Sequence, residues 1–222
     1  MSVVLEDKIA VTTTATCRPD ILARTYQSFC DNTGLDFKRM RLFINVDLVP
    51  VNISYAEIIK VAHAFFGEVV SNISDVPNFA ASVKWLWSSV DSEYVFHLED
   101  DWLLLEKVPM ILLWDVLRDN PHIMQARFCG YHVGNVLRRI SLGPGLIRGE
   151  ICRKIGAGLK TDRNPEVQLK TLKQFGIERL NKTIAMVVPR NTRVIKDIGR
   201  SWASQHGIKH PKKERFVVWK TH

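Results

Sequence analysis

The sequence has no long apolar run, because no stretch approaches the roughly 20 apolar residues that span a membrane. Residues 1–7 contain neither a basic flank nor an apolar core, so no signal peptide is expected. The four cysteines are scattered, without the spacing of paired or metal-binding cysteines. These absences argue against a membrane-spanning or secreted protein, and they predict reduced thiols and a cytoplasmic location.

Internal repeats and low-complexity segments are absent as well, which argues against a solenoid or a disordered chain. What is present is a chain of 222 residues, 46% of them hydrophobic, which is enough to bury a substantial core. Residues 1–222 are therefore predicted to form a single domain.

Acidic and basic residues are distributed unevenly. Residues 1–136 hold 11 Lys and Arg against 17 Asp and Glu, a net −6, whereas residues 137–222 hold 20 against 6, a net +14. A basic second part suggests an anionic ligand or partner, such as a diphosphate, a nucleic acid or an anionic membrane surface. The alternative is a solvated basic surface without a partner.

The most informative stretch is the apolar run 94–98, which leads directly into Glu99, Asp100 and Asp101. An apolar run with aromatic and β-branched residues predicts a buried strand. Three carboxylates at its end are costly to bury unless a cation lies among them. The stretch therefore predicts a divalent metal site, with Mg²⁺ or Mn²⁺ favoured by carboxylate oxygens. The alternative is an acidic N-terminus for a helix that begins near Trp102.

Strand-like and helix-like segments alternate along the chain, which predicts an α/β fold with a mainly parallel sheet covered by helices on both faces. Strands are predicted at 8–14, 41–47, 68–70, 94–98 and 122–128. Helices are predicted from Pro19 to a stop at Gly34 and at 54–66, 77–90 and 108–117.

Candidate ligand-binding residues follow two of these strands. The turn at 12–20 lies where open α/β sheets bind ligands, although a plain strand-to-helix connection explains it equally well. Asp47 ends the second strand and would accept a hydrogen bond from a ribose hydroxyl or a base amide, with a turn aspartate before Pro50 as the alternative. Asn78 and Lys84 belong to the next helix and could face the ligand.

The second part of the chain is richer in loops and basic residues. Glycines from Gly130 to Gly149 predict a loop-rich stretch of the kind that often forms acceptor pockets. We expect a short helix at 146–155 containing Glu150, a helix at 164–175 containing Glu166, and a late strand at 183–188. The tail at 190–222 is dense in Lys, Arg, His and Trp.

Taken together, these features resemble the nucleotide-diphospho-sugar transferases, which are glycosyltransferases of the A-type fold (GT-A). The resemblance is carried by the opening strand at 9–14, Arg18-Pro19, Asp47, the helix from Asn78 and, above all, Phe96-His97-Leu98-Glu99-Asp100-Asp101. The last of these is similar to the family's Asp-x-Asp metal motif. The resemblance covers residues 8–130 and is much weaker over 140–222. The first acid is Glu99 rather than Asp, which leaves open which two of the three acids touch the metal.

The resemblance implies a fold and a set of roles. The fold is a Rossmann-like, mainly parallel sheet flanked by helices. Residues 8–130 would bind the nucleotide sugar, and the loop-rich basic portion at 131–222 would bind the acceptor and close the site. Mn²⁺ or Mg²⁺ would bridge the donor phosphates, held by Glu99, Asp101 and His206. Glu166, or in second place Glu150, would be the catalytic base. The donor-binding residues would be Thr12, Thr13, Thr14, Arg18, Asp47, Asn78, Lys84, Asp100 and Arg200.

The resulting hypothesis is a metal-dependent glycosyltransferase that moves a hexosyl or pentosyl group from a nucleotide-diphosphate sugar to an acceptor hydroxyl. The acceptor would be a glycan, a protein or a modified nucleic-acid base. A sugar nucleotidyltransferase is one alternative, but it normally has a Gly-rich early loop, and the turn at 12–20 contains no glycine. A non-catalytic nucleic-acid-binding module is the other, but it leaves residues 99–101 unexplained.

Overall fold

The computed structural model describes residues 4–48, 54–74, 76–128, 140–178, 184–186 and 194–205. The strands are β1 (Ile9–Thr16), β2 (Arg41–Asp47), β3 (Glu68–Ser74), β4 (Tyr94–His97), β5 (Trp102–Leu104), β6 (Gln125–Arg127), β7 (Gly145–Arg148), β8 (Ile184–Met186) and β9 (Ile195–Asp197). The helices are α1 (Pro19–Thr33), α2 (Tyr55–Phe65), α3 (Phe79–Ser89), α4 (Met110–Asp119), α5 (Gly149–Gly158), α6 (Pro165–Gln168) and α7 (Gly199–Gln205).

Seven of the described strands form one sheet in the order β3-β2-β1-β4-β7-β6-β8, and β5 pairs with β9 in a separate ribbon. Within the sheet β7 runs antiparallel to both of its neighbours, while the other six strands share one direction. The predicted α/β fold with a mainly parallel sheet is confirmed. Because parallel strands end at the same edge, the C-terminal ends of β1, β2 and β4 lie side by side.

Successive side chains of each strand point to two separate cores, one on each face of the sheet. Val11 and Phe96 belong to the core that packs under α1, α2 and α4. Ala10 and Val95, their neighbours along the strands, belong to the core under α3 and α5. Helices therefore cover both faces, as expected for strands that are apolar throughout.

The helices that frame the later site begin and end where the sequence signals predict. In α1, Pro19 occupies the first turn and Gly34 follows the helix in the left-handed region at φ 72°, a conformation that favours glycine. Asn78 caps α3, with its Oδ1 accepting from Ala81 N at 3.0 Å. These caps fix how the chain leaves β1 and enters α3.

The helix expected at 146–155 begins later, because Gly145–Arg148 form strand β7 and α5 starts at Gly149. A short apolar run has the same pattern in a strand and in a buried helix, so its pairing partners β4 and β6 decide its structure. A Cβ on Gly145 would lie 2.7 Å from Ala126 O, so glycine permits the close approach of β6.

Three other segments also differ from the prediction. The helix expected at 164–175 is divided into α6 and a 3₁₀ helix at Leu172–Phe175. At the end of α6, Gln168 Nε2 turns back to donate to Lys160 O at 2.8 Å and to Arg163 O at 2.9 Å. The run after the acids forms strand β5, not the helix considered as an alternative. The tail contributes β9 and α7, which the sequence pattern did not reveal. The late strand expected at 183–188 is present as β8.

Two expectations from composition can be compared with the fold. Among the described residues, no helix is both long and apolar enough to cross a membrane. Cys30 and Cys152 form no disulfide with another described residue, and burial raises the pKa of Cys30 to about 12. A high pKa keeps a thiol protonated and unreactive.

Candidate functional site

The C-terminal ends of β1, β2 and β4 open into a cleft of about 580 Å³. Beyond β4 the chain stays alongside β1, because Leu98 N donates to Thr12 O at 2.9 Å and Asp100 N donates to Thr14 O at 3.1 Å. This pairing delivers the three acids to the cleft. The cleft is lined by Thr14, Ala15, Thr16, Arg18, Asp47, Phe79, Glu99, Asp100, Asp101, Trp102, Asn164, Glu166, Asp197, Gly199 and Arg200.

Asp100 is held by donors from the turn between β1 and α1. Its Oδ2 accepts from Thr16 N at 3.0 Å and from Arg18 Nε at 3.2 Å, and its Oδ1 accepts from Arg18 Nη2 at 2.5 Å. The two side chains are buried, at 3% exposure for Arg18 and 5% for Asp100. Both residues were predicted to bind the donor, but the structure shows them bound to each other. Their arrangement is that of a link between two loops.

Glu99 and Asp101, on either side of Asp100, keep oxygens directed to the cleft. Glu99 Oε2 accepts from Trp102 Nε1 at 2.9 Å, and Asp101 Oδ2 accepts from Arg18 Nη2 at 3.2 Å. Burial, with the charge of Asp101 next, raises the pKa of Glu99 well above its usual range. Burial, with the charge of Asp100 next, raises the pKa of Asp101 to about 7, although Arg18 opposes this shift. The raised pKa values indicate that the carboxylates of Glu99 and Asp101 have too little positive charge nearby to offset their burial and mutual repulsion.

A divalent cation fits this donor set. The described residues contain no group of three His, Cys, Asp or Glu side chains that would hold a metal by themselves. Mg²⁺ usually takes one or two protein carboxylates and completes its shell with water and substrate phosphates, and Mn²⁺ suits the same oxygen ligands. Two cleft-facing carboxylates with raised pKa values, Glu99 and Asp101, meet that requirement.

One end of the cleft is formed by β2 and the start of α3. Asp47 Oδ1 accepts from Ser82 Oγ at 2.9 Å and from Asn45 Nδ2 at 3.0 Å. Burial raises the pKa of Asp47, while Ser82, Asn45 and the backbone N–H of Asn78 oppose the shift. Phe79, the first residue of α3, lines the same end beside this carboxylate. The end therefore offers an apolar ring and a hydrogen-bond acceptor.

The opposite wall comes from the second part of the chain. Glu166 is exposed in α6, which Asn164 caps by accepting from Glu166 N at 2.8 Å. The charge of Glu166 contributes to the raised pKa of Glu99, and both residues line the cleft. Among the residues proposed as the base, the structure brings Glu166 to the acids.

Strand β9 and helix α7 complete the wall. Asp197 pairs with Trp102 in the β5–β9 ribbon, and Ile198 N donates to Asp101 O at 2.8 Å. A Cβ on Gly199 would lie 2.0 Å from Asp101 Oδ2, so only glycine allows this approach. Arg200 donates through Nε to Asp197 Oδ2 at 3.0 Å, with a side chain that is 88% exposed. Arg200 thus lies at the rim of the cleft, and its donor role stays a prediction.

Several predicted site residues lie away from the cleft. Thr12 and Thr13 are buried within β1, where Thr12 Oγ1 lies 2.9 Å from His97 Nδ1. Lys84 Nζ donates to Leu159 O at 2.9 Å and ties α3 to the end of α5. Glu150 follows β7, whose antiparallel direction carries it to the sheet edge where β4 begins.

Asn78 and His206 are the two remaining residues that were predicted to belong to the site. The side chain of Asn78 acts as the cap of α3 and donates to Thr161 O at 3.2 Å. His206 lies outside the described residues. Thr16 lies in the turn at 12–20 that the sequence indicated as a candidate ligand-binding segment, but several other lining residues were missed, namely Phe79, Trp102, Asn164, Asp197 and Gly199. For Trp102, adjacency to the acidic motif was a usable signal; Asp197 and Gly199 lie in a segment whose fold was not foreseen.

Solved structures with a similar fold bind nucleotides or nucleotide sugars. A mannosyltransferase from Pyrobaculum calidifontis in complex with GDP-Man and Mn²⁺ has a TM-score of 0.58 at 10% identity, over 83% of this chain and 58% of that one. The 1–349 portion of S. aureus TarS in complex with UDP has a TM-score of 0.52 at 12% identity, over 82% and 61%. The chain thus spans less than two thirds of either structure.

A third structure is matched over nearly its whole length. It is a CMP:2-keto-3-deoxy-manno-octonic acid synthetase in complex with CTP, with a TM-score of 0.54 at 13% identity, over 89% of this chain and 96% of that one. The sequence matches no protein-family model and no curated protein. At these identities the likeness confirms the predicted GT-A-type fold.

Replacing Arg18 should destabilise the protein strongly, because Asp100 would remain buried without its guanidinium partner. We expect Arg18→Ala to lower the free energy of unfolding in urea by about 3–5 kcal/mol. Arg39→Ala is the matched control: its side chain is 51% exposed and lies 3.7 Å from Asp7, so a change of about 0–1 kcal/mol is expected. Equal losses in the two variants would show that the buried pair is not a structural link.

The raised pKa of Asp101 predicts a pH dependence of stability. In the unfolded chain an aspartate ionises near pH 4, but in the folded, metal-free protein Asp101 ionises near pH 7, so stability is lost as the pH rises between these values. Asp101→Asn cannot ionise. Measured by urea unfolding in EDTA, its stability relative to wild type should therefore be higher at pH 8 than at pH 4.5. The same difference at both pH values would contradict the shift.

Proposed function

We propose that the protein is a metal-dependent glycosyltransferase that transfers a sugar from a nucleotide-diphosphate donor to an acceptor hydroxyl. The observation that carries the proposal is the placement of Glu99 and Asp101. They line a cleft at the C-terminal edge of a mainly parallel sheet, together with Asp47, Phe79 and a further carboxylate, Glu166. The likeness to nucleotide-bound structures of this fold supports it.

The nucleoside would occupy the end formed by Thr14, Asp47 and Phe79. Phe79 offers a ring against which a base or ribose can pack. Ionised Asp47 only accepts hydrogen bonds, so it would favour a ribose hydroxyl or a base with a ring N–H donor, such as uracil or guanine. Arg200 is exposed at the rim, where it pairs with Asp197, and its guanidinium would approach the diphosphate.

Glu99 and Asp101 would hold Mn²⁺ or Mg²⁺ together with the donor phosphates. When bound, the metal supplies Lewis-acid stabilisation of the nucleoside diphosphate leaving group. The buried Arg18 keeps Asp100 and Asp101 in fixed orientations beneath the cleft, so little reorganisation is needed. His206 stays a proposed third ligand because it lies outside the described residues.

Glu166 would take the proton from the acceptor hydroxyl. It is exposed and lines the cleft together with the acids, so an acceptor that entered from this side would meet the donor sugar beside it. Its backbone is held by the cap at Asn164, which places the carboxylate on a structured turn. Glu150, at the opposite edge of the sheet, is not retained as a base.

The acceptor is proposed from charge. With a net charge of +14 over residues 137–222, the part of the chain that supplies Glu166 and Arg200 favours an anionic acceptor, with nucleic acid, glycan and protein as the candidate classes. The transferred group would be a hexosyl or pentosyl unit, and the proposed location is the cytoplasm.

A sugar nucleotidyltransferase is the second candidate function. It is favoured by the match to the CTP-bound synthetase, 96% of whose length is covered. The turn between β1 and α1 argues against it, because residues 12–20 contain no glycine to cradle a triphosphate and Arg18 is occupied by Asp100.

A thermal-unfolding panel tests the proposal first. We expect UDP or GDP together with Mn²⁺ to raise the unfolding midpoint, since a ligand that binds only the native state stabilises it by mass action. Neither component alone should do so to the same extent. Asp101→Asn should abolish the joint shift, whereas Asp162→Asn, an exposed aspartate outside the cleft lining, should retain it.

Other outcomes of the panel discriminate the alternatives. A shift with CTP that exceeds every diphosphate would favour the nucleotidyltransferase. A shift with oligonucleotides alone, independent of metal, would favour a binding module without catalysis. Either result would overturn the glycosyltransferase proposal.

The role of Glu166 is tested by paired glutamine substitutions. The substrate is a sugar nucleotide that carries the nucleoside diphosphate identified by the panel, and the assay follows release of that diphosphate. For Glu166→Gln we expect kcat to fall about 10²–10⁴-fold, because a general base contributes that much. Donor binding, read by the thermal shift, should be unchanged. Glu150→Gln should leave both quantities as in wild type, and equal effects in the two variants would contradict the assignment.

A further inference from the structure

Trp102 has a specific contact in the cleft that neither the motif nor the proposed chemistry assigns. Its indole Nε1 donates to Glu99 Oε2 at 2.9 Å. Among the described residues this is the hydrogen bond that reaches the Glu99 side chain. An indole N–H is a donor with no acceptor capacity, so it can orient a carboxylate but cannot take its place on a metal.

The indole ring is well anchored for such a role. Trp102 begins β5, which pairs with β9 so that Trp102 lies directly opposite Asp197. Its ring packs against the same buried core as α1 and α4, while Leu103, on the other side of the strand, packs with Ile198 and Trp202. Strand pairing and core packing therefore hold the donor rigidly beside the acids.

The three acids differ in how many internal donors they receive. Asp100 accepts four hydrogen bonds, two from Thr16 and two from Arg18, and Asp101 accepts one from Arg18. Glu99 has the longest side chain of the three, and among the described residues it has one donor, Trp102. Without that donor its carboxylate would be free to rotate about its own side-chain bonds, at a cost in conformational entropy on binding a cation.

We propose that Trp102 is a positioning residue for the metal: it fixes Glu99 Oε2 so that Oε1 is presented to the cation. The inference rests on the proposed metal-dependent function. Outer hydrogen-bond partners of metal ligands typically contribute about 10–100-fold to metal affinity. Trp102 would therefore act on the metal through Glu99, and the donor nucleotide would be affected only through the metal.

The test is a titration of the protein with Mn²⁺ alone, following free Mn²⁺ by electron paramagnetic resonance. Trp102→Phe keeps an aromatic ring in the core contact but removes the N–H, and it should weaken Mn²⁺ binding at least tenfold while the unfolding midpoint stays close to wild type. Trp114→Phe is the matched control. Trp114 packs against the same core from α4, under Arg118 and outside the cleft, and its substitution should leave Mn²⁺ affinity unchanged.

The outcomes separate the inference from the function on which it rests. Failure of the wild-type protein to bind Mn²⁺, both alone and with the nucleoside diphosphate that the thermal panel identifies, would overturn the metal-dependent function itself. Wild-type affinity in Trp102→Phe would overturn the positioning role alone, as would a loss of nucleotide binding with Mn²⁺ affinity intact, since that would place the ring on the donor. Should Trp102→Phe fail to fold, ¹⁵N spectra of wild type decide. Mn²⁺ should broaden the Trp102 indole signal and spare that of Trp114, and equal broadening would refute the proposal.

Discussion

The cleft depends on the buried ion pair between Arg18 and Asp100. It joins the turn after β1 to the loop after β4, two segments that are 82 residues apart in the chain. Removing two charges from water is costly, and the cost is offset here by multiple hydrogen bonds from Arg18 and Thr16 to one carboxylate. Because Asp100 is consumed in this link, its two neighbours are left as the acids that face the cleft.

The same pair connects the acids to the late part of the chain. The Arg18 guanidinium lies 5.3 Å from the ring centroid of Trp202, and Gly199 approaches Asp101 so closely that a side chain would clash. Strand β9 and helix α7 therefore pack on the charged centre as well as on apolar residues. The segment that carries Asp197 and Arg200 is therefore held in place partly by its contacts with Arg18 and Asp101.

The electrostatics of the cleft follow from this packing. Burial and the charges of Asp101 and Glu166 raise the pKa of Glu99. Burial and the charges of Asp100 and Asp197 raise the pKa of Asp101, where Arg18 opposes the shift. A site that raises the pKa values of its acids favours a bound cation, because a cation offsets both the desolvation of the buried carboxylates and the repulsion between them. The raised pKa values of its carboxyl groups distinguish the cleft from an ordinary acidic loop, in which water would screen the same charges.

The sequence by itself determined the alternation of strands and helices, the edge at which the acids emerge and the two ends of α1, because periodicity and the proline and glycine signals at helix ends are local properties. Only the tertiary structure decided which acids face the cleft, that Glu150 lies at the far edge of the sheet, and that Asp197 joins the wall. Each of these depends on partners distant in the chain. The direction of β7 is set by its two neighbouring strands, and the Asp100 carboxylate is held by its hydrogen bonds from Arg18. Contacts between distant segments carry no local pattern, so they could not be read before the fold brought them together.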